Sequence, residues 1–407
     1  MHLGWVDFSD AERDKAMDIL HLLQEPGAVD ELGIGVVRDA FADAFFPGTS
    51  TLLTRAKYYL LVPYILREKI AEGARFGWTA RQTMAEIDDF ECKVGERLYK
   101  AHQNEKDSGI IGRVAIAKKG WVKRAPSVLY WNGIRTFGIC PERDLSLPQY
   151  VKLALSVAKA RGSGLGTAER GEEAEGDDMD AGGVLRFKPL DLHGVYRKNW
   201  FADVDIPLSE SEAVYLQRKI LENVPNSLLS VVLRGKIDLR LYGDFAAFAE
   251  EMSGRVDPSL RELLELSCRF MRLVYAARVR YNVLLQNGRS DDAVSRWQKI
   301  PISEMSIDPE DVARIFLELH LDKGGQNGLF QFLQKLACAF CKRDVATADD
   351  LIRNREKVIK GEARAKLLHP EKYSPENWIG GYYLDYRLAD TARIVTDIYD
   401  GLGVTHV

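Results

Sequence analysis

The sequence predicts a mainly α-helical, multi-helix globular protein with one or two helical domains and minor β structure. Composition is that of an ordinary globular chain, since 46% of the 407 residues are apolar and 29% are charged. Apolar residues recur at helical spacing in several long segments, whereas strand-like alternation is confined to residues 184–196. Helix-start signals precede many of the periodic segments. These three features together favour a helical fold.

Capping signals mark where several helices are expected to begin. Ser9, Ser146 and Ser209 each stand three residues before a Glu or Gln, which is the spacing of a capping box. Two further sites, at 308–309 and 374–375, place a cap directly before a first-turn proline. We therefore expect a helix just after each of these positions.

Helical periodicity is clearest in the second half of the chain. Residues 211–224 and 258–286 carry apolar side chains at spacings of three and four. A last apolar stripe is formed by Leu384, Leu388, Thr391, Val395, Ile398 and Leu402. No fixed repeat period is present, so the sequence does not predict a solenoid.

The segment 161–183 differs from the rest of the chain in composition. It holds seven acidic residues, two arginines and seven glycines, with almost no large apolar side chain, so it cannot offset its ordering entropy by burial. We interpret it as an acidic, Gly-rich linker or disordered loop between an N-terminal helical domain (1–160) and a C-terminal helical domain (184–407). An insertion within one domain is the alternative. The net charge of −4 comes largely from this segment, so basic patches are possible elsewhere.

Cysteine usage and the N-terminal residues favour a cytoplasmic protein with no membrane association. The five cysteines are an odd number in a large chain, which argues against a disulfide framework. Acidic residues occupy the start of the chain, and the longest apolar runs are too short to span a bilayer. Cys338 and Cys341 form a CxxC within an apolar helical pattern and are expected to be core residues. The scattered histidines give no metal-binding motif, so no metal or other cofactor is expected.

A basic, aromatic segment from Ser108 to Pro141 lacks any acidic residue. Cations neutralise phosphates, and flat rings accept an unstacked base, so the segment favours nucleic-acid contact. The predicted DNA-binding residues are Arg113, Lys118, Lys119, Lys123, Arg124 and Arg135. The predicted base-stacking residues are Trp121, Tyr130 and Trp131, together with Tyr58 from the preceding segment. The alternative is a solvated basic face whose aromatic rings belong to the core.

Residues 33–64 predict a helix, a tight turn at 47–50 and a second helix. Asp39 and Asp43, at i and i+4, share one helix face. A second helix that opens at Thr51 would direct unpaired N–H groups at a phosphate. This segment therefore adds Ser50, Thr51 and Arg55 to the predicted DNA contacts. The alternative is that Arg38 or Arg55 pairs with one of the two aspartates and joins the helices.

A third polar cluster lies near the C-terminus, where Asp385, Tyr386 and Arg387 follow a pair of glycines. The neighbouring charges Asp390, Arg393 and Asp397 have the spacing of ion pairs along a helix. Asp385 is therefore the carboxylate of this segment for which the spacing suggests no ion-pair partner. A solvated helix face is the alternative.

Five segments together resemble a known domain family: GWVDFS, RDAFADAFFPGTSTLLTRAKYYLLVPYIL, GRVAIAKKGWVKRAPSVLYWNGIRTFGI, LSESEAVYLQRKIL and LDYRLAD. The chain resembles a bacterial family, long without an assigned function, that is found in anti-phage defence loci. That family includes a phage-replication-inhibiting DNA glycosylase that removes glucosylated hydroxymethylcytosine. The resemblance, rather than composition or spacing, implies base excision.

The resulting hypothesis is a metal-independent, monofunctional DNA glycosylase that acts on a modified cytosine in phage DNA. A carboxylate is required to stabilise positive charge on the sugar, and Asp39 and Asp43 are the first candidates, followed by Asp385. One alternative is a non-catalytic DNA-binding defence or regulatory protein. Another is a nuclease that uses Asp39 and Asp43 as Mg²⁺ ligands.

Overall fold

The structure, a computed structural model, describes residues 30–105, 107–162, 187–301, 307–325, 327–372 and 382–404. Within these ranges the chain forms fifteen α-helices and several short 3-10 helices, and no β-strand. The predicted multi-helix fold is therefore confirmed. The stretch 187–196, predicted as a strand, consists of turns and coil, because Pro189 cannot donate a ladder hydrogen bond.

Most of the helices follow one another with short connections, but long stretches of chain separate the sixth from the seventh and the fourteenth from the fifteenth. In chain order they are α1 (Gly35–Phe45), α2 (Tyr58–Phe76), α3 (Ala80–Ala101), α4 (Arg113–Ala117), α5 (Pro126–Thr136), α6 (Leu147–Gly162), α7 (Glu210–Asn223), α8 (Leu228–Gly235), α9 (Phe245–Ser253), α10 (Pro258–Leu285), α11 (Asp291–Lys299), α12 (Pro309–Glu318), α13 (Leu329–Cys341), α14 (Val345–Lys360) and α15 (Leu388–Leu402). None of those described has the combination of length and apolar content that a membrane span needs.

Two compact units make up the chain, and each is built from two separated stretches. The first unit comprises Met1–Phe41 and Arg261–Leu384, and the second comprises Ala42–Leu260 and Asp385–Val407. This division differs from the predicted domains 1–160 and 184–407, because helical periodicity cannot reveal that a chain leaves one unit and later returns to it. Of the predicted linker 161–183, the first two residues end α6 and the rest lies outside the described residues.

Helix α2 forms the centre of the second unit. Its N-terminal half, YYLLVPYIL, is apolar on all sides and is buried throughout, as expected of a helix enclosed by its neighbours. It packs against α3, α5 and α6, while α15 packs against α7 and the 3-10 turn Leu239–Leu241. The predicted apolar stripe faces this core at Leu388, Val395 and Ile398.

The first unit is stabilised by buried charge as well as by apolar packing. Helices α12, α13 and α14 pack in sequence. Arg280 makes a bidentate ion pair with Asp349, and the buried Glu356 accepts a hydrogen bond from the hydroxyl of Tyr281 at 2.6 Å. Cys338 is half-buried and Cys341 is exposed, so the expectation that both belong to the core is wrong for Cys341.

Capping explains the starts of the helices that the sequence marks most clearly. Ser209 with Glu212 forms a reciprocal capping box at α7, and Ser146 with Gln149 forms the same pair of hydrogen bonds at α6. The cap and proline at 308–309 begin α12 as predicted. The signals at Ser9 and at 374–375 lie outside the described residues.

Glu91 of α3 is a buried carboxyl that meets the first turn of α5. Ser127 donates its backbone N–H to one oxygen of Glu91 at 2.6 Å, and its hydroxyl lies 2.9 Å from the other oxygen. Burial raises the pKa of Glu91 to about 8, although the bonds from Ser127 act in the opposite direction. At neutral pH the carboxyl is therefore largely protonated in the folded protein.

The first prediction is that Glu91→Gln makes stability less dependent on pH. The folded-state pKa of about 8 exceeds the ordinary 4.5, so between these values the folded protein holds a proton that the unfolded chain has released. The stabilisation is complete below the lower value and is lost as pH rises, by about 1.4 kcal/mol per pH unit. Glutamine mimics the protonated acid, because its amide can accept from the N–H and donate to the hydroxyl of Ser127.

Urea unfolding between pH 4.5 and 8 measures this effect. The free energy of unfolding should fall with pH more steeply in the unsubstituted protein than in the variant. Equal slopes would mean that Glu91 is ionised in the folded protein over this range.

Candidate functional site

A pocket of about 900 Å³ opens in the second unit, which is a volume suited to a small-molecule or nucleotide ligand. Nine of its twenty described lining residues are charged. The arginines are Arg55, Arg113, Arg240 and Arg393, and the aspartates are Asp107, Asp244, Asp385, Asp397 and Asp400. Three residues predicted from the sequence, Asp385, Arg55 and Arg113, thus line one pocket.

Helix α15 forms one wall of this pocket. Its lining residues include Ala389, Arg393, Thr396 and Asp400, which fall at spacings of three and four and therefore on one face. Residues between them, such as Val395, are buried in the core. The helix is therefore amphipathic, with an apolar face toward the core and a charged face toward the pocket.

The ion pair between Arg55 and Asp397 connects α15 to the segment that precedes α2. The guanidinium Nε lies 3.0 Å from both carboxylate oxygens, and a second nitrogen lies 2.8 Å from one of them. Asp397 also accepts the backbone N–H of Ala56 at 2.7 Å, and Arg55 donates to the carbonyl of Ser108 at 2.9 Å. Burial raises the pKa of Asp397 above its usual value, while Arg55 and the amide partly oppose that shift.

The segment before α2 is held by side chains rather than by a helix. The hydroxyl of Tyr130 accepts the N–H groups of Thr54 and Arg55 and donates to the carbonyl of Arg55. With the N–H of Ala56 bound by Asp397, these backbone groups already have partners. The prediction that a helix opens at Thr51 is therefore wrong: α2 begins at Tyr58, and Ser50 and Thr51 lie in turns.

Asp385 stands at a strained corner that opens α15. The next two residues, Tyr386 and Arg387, have φ values of 47° and 67°, a left-handed conformation that costs non-glycine residues roughly 1–2 kcal/mol each. The buried ring of Tyr386 packs against Phe45 and Phe245, with ring centroids 5.9 Å and 4.7 Å away. This packing offsets the strain and leaves Asp385 exposed at the pocket. Strain of this kind concentrates at functional sites.

Asp39 and Asp43 lie on α1 at the predicted spacing, but neither lines the pocket. Asp39 belongs to the first unit and pairs with its chain neighbour Arg38 at 2.9 Å, a contact within α1 that does not join two helices as the alternative interpretation expects. Asp43 pairs with Arg387 at 2.6 Å and so supports the corner beside Asp385. Arg55 pairs with neither aspartate, because its partner is Asp397.

The basic segment folds as α4, a connecting loop and α5. Three lysines of the loop are exposed, and their ammonium groups make no hydrogen bond or ion pair with the residues that the structure describes; they are Lys118, Lys119 and Lys123. Arg124 is half-buried and has a partner. The half-buried Trp121 donates its indole N–H to Asp88 at 3.2 Å. We name residues 118–123 the cationic loop.

Three of the four predicted stacking residues belong to the core. Tyr58, Tyr130 and Trp131 are buried, and the rings of Tyr58 and Tyr130 contact each other at 5.3 Å. Their rings therefore expose no face on which a base could stack. Arg135 donates to the carbonyls of Arg143 and Leu145, which gives it a local structural contact.

Arg113 joins the basic segment to the pocket. It donates to the carbonyls of His102 and Gln103 and to the hydroxyl of Ser108. No carboxylate among the described residues pairs with it, so it keeps its positive charge at the pocket. Within the described ranges no group of three His, Cys, Asp or Glu side chains is arranged to hold a metal ion.

The sequence signals for this site are uneven. Composition and spacing point to Asp385, Arg55 and Arg113, whereas helical ion-pair spacing assigns Asp397 to Arg393 and misses its contact with Arg55. Asp400 stands seven residues after Arg393 and therefore on the same face of α15, and this spacing is the sequence signal that could have found it. The pocket residues at 240–244 carry no motif that would reveal them.

Comparison with known proteins adds one family to this description. The family model described as "Family of unknown function (DUF6361)" matches residues 1–151. No curated protein and no solved structure matches the chain. The matched stretch includes Arg55 and Arg113 of the pocket, whereas the wall formed by α15 lies beyond it.

The second prediction is that Asp397→Asn lowers the free energy of unfolding by about 3 kcal/mol, because it leaves the guanidinium of Arg55 without a charged partner in a largely buried place. The matched control is Asp400→Asn, an exposed aspartate on the same face of α15, which should change stability by less than about 1 kcal/mol. Denaturant unfolding of both variants measures the difference. Equal losses of unfolding free energy in the two variants would show that the buried ion pair stabilises the protein no more than an exposed aspartate does.

Proposed function

We propose that this pocket receives a modified cytosine nucleotide extruded from phage DNA and that the protein hydrolyses its N-glycosidic bond. The observation that carries the proposal is Asp385, an exposed carboxylate on a strained corner at a pocket rich in arginine. The resemblance to an anti-phage family that includes a DNA glycosylase supports the choice of substrate. The proposed enzyme is monofunctional and needs no metal ion.

Hydrolysis of a nucleoside requires water to add at C1′ of the sugar while the base departs with a proton. As the C1′–N bond breaks, positive charge develops on the sugar ring. A carboxylate close to the ring stabilises this charge and orients the attacking water. The nucleotide must first leave the base stack, because the bond is inaccessible in a duplex.

Asp385 suits the catalytic role because its carboxylate has few partners within the protein and the packing of Tyr386 fixes the adjacent backbone. Asp397 is neutralised by Arg55, and Asp244 accepts the N–H of Ala247 as the cap of α9. Among the described residues, the carboxylate of Asp385 accepts only the N–H of Arg387, at 3.3 Å. It therefore keeps lone pairs for a ligand.

Two further features support contact with DNA. Arg393 lines the pocket and its guanidinium makes no hydrogen bond or ion pair within the described ranges, so it suits a phosphate. Tyr242 lines the pocket and offers a partly exposed ring to a base or sugar. Arg113 begins α4 and Lys118 follows its end, so the cationic loop starts within about 10 Å of the pocket lining.

The third prediction is that Asp385→Asn lowers the rate of base release by about 10²- to 10³-fold, because the substitution is nearly isosteric but removes the negative charge opposite the sugar. Purified protein is incubated in EDTA with glucosylated hydroxymethylcytosine DNA and with unmodified DNA, and abasic sites are counted. EDTA excludes a Mg²⁺-dependent nuclease. DNA affinity should stay close to that of the unsubstituted protein.

Asp39→Asn is the matched control, since Asp39 is a half-exposed aspartate outside the pocket. It should release base at the unsubstituted rate. If Asp39→Asn abolishes release and Asp385→Asn does not, the site assignment is wrong. If the unsubstituted protein binds both DNAs and forms no abasic sites on either, a non-catalytic DNA-binding role replaces this proposal.

The fourth prediction concerns the cationic loop. Changing Lys118, Lys119 and Lys123 together to alanine should weaken DNA binding with little dependence on sequence, and should reduce the salt slope by about 0.9 for each phosphate that the loop no longer neutralises. Binding is measured over a series of salt concentrations. The matched control replaces three exposed lysines of the same unit elsewhere on its surface, namely Lys100, Lys152 and Lys198. Equal slopes for the two triple variants would assign the loop no specific role.

A further inference from the structure

A second pocket lies in the first unit and shares no residue with the candidate active site. Its volume is about 310 Å³, at the lower end of the range for small-molecule sites. Its lining residues are Arg272, Tyr275, Arg296, Lys299, Ile300, Pro301 and Tyr383. Three of these are cations, and no acidic residue is among the described lining residues. The described part of the lining is therefore electropositive.

Two helices bring the cations together. Arg272 comes from α10, and Arg296 and Lys299 come from α11 at a spacing of three, so both face the same side. Arg296 pairs with the exposed Asp292 at 3.1 Å. Arg272 and Lys299 are exposed, and their charged groups make no hydrogen bond or ion pair with the described residues.

Like charges repel, so their collection in one concave surface favours a bound anion. An Arg guanidinium and a Lys ammonium together can surround a phosphate, the first with a planar fork and the second with a point charge. Nothing else in the described lining neutralises these two cations. The charge of the pocket thus favours a phosphate over a neutral ligand.

A stacked pair of tyrosines adds an aromatic surface beside these cations. The rings of Tyr275 and Tyr383 lie 4.3 Å apart between centroids, with an angle of 26° between their planes. Tyr383 lines the pocket and remains 52% exposed, so part of its side chain is accessible to a ligand. A flat ring next to cations is the combination that binds a base and its phosphate.

We propose that this pocket binds a nucleotide, with its phosphate at Arg272 and Lys299 and its base stacked on Tyr383. The proposal goes beyond base excision and does not depend on it, because the residues belong to the other unit. A phosphate next to a planar base can come from a free nucleotide or from a single strand of nucleic acid. The experiment separates these two sources.

The experiment titrates the full-length protein with ATP, with inorganic phosphate and with a short labelled oligothymidylate. Arg272→Ala and Lys299→Ala should each weaken nucleotide binding about tenfold, because each removes a charge-assisted contact. Tyr383→Ala should weaken it by a similar factor, and Tyr383→Phe should bind normally since stacking is retained. The matched control is Lys335→Ala, which removes an exposed lysine of the same unit outside the pocket.

Binding of ATP with this pattern of losses supports the pocket and identifies a free nucleotide as its ligand. The same pattern for the oligothymidylate alone supports the pocket and identifies a strand. Absence of binding to ATP and to the oligothymidylate overturns the proposal, even if inorganic phosphate binds. So does binding that Arg272→Ala, Lys299→Ala and Tyr383→Ala leave equal to that of the Lys335→Ala control, provided that melting temperatures are unchanged.

Discussion

The ion pair between Arg55 and Asp397 is the constraint on which the arrangement of the second unit depends. It joins residues 342 positions apart, and the same carboxylate binds the backbone N–H of Ala56. Removing both charges from water costs several kcal/mol, which is recovered only because the pair is bidentate and the remaining lone pairs are used. The pair thereby fixes where α15 lies against the start of α2. The charged wall of the pocket follows from that position.

The corner at Asp385 depends on a second set of contacts. The left-handed backbone at Tyr386 and Arg387 persists because an aromatic ring is buried on one side and a guanidinium is bound on the other. Asp43, which the sequence presents as a catalytic candidate, binds that guanidinium. Its contribution is therefore to hold Arg387 and, through it, the orientation of Asp385. A charged pair at i and i+4 on a helix does not by itself indicate which member, if either, faces a ligand.

Local features of the fold were predictable from sequence, whereas the pairing of distant segments was not. The helix start at Ser209 follows from a cap whose partner lies three residues away. The partner of Arg55 could not be found in this way, because the spacing along one helix predicted that Asp397 pairs with Arg393. The absence of acids from the basic segment likewise describes composition, but not which side of each helix faces water. Tyr130 belongs to an apolar period that continues four and seven residues later, and that period was the available signal that its ring is buried.

Charge distinguishes the two pockets and indicates what each can stabilise. In the second unit, arginines and aspartates are mixed, and among the described lining residues acids outnumber bases by five to four. An excess of carboxylate in a concave site favours a ligand on which positive charge develops, while the arginines suit the flanking phosphates. In the first unit the described lining has cations and no acids, so it favours a stable anion. A cationic pocket would oppose an oxocarbenium-like sugar, whereas the mixed pocket would not. On electrostatic grounds we therefore assign the proposed bond cleavage to the second unit and the proposed phosphate binding to the first.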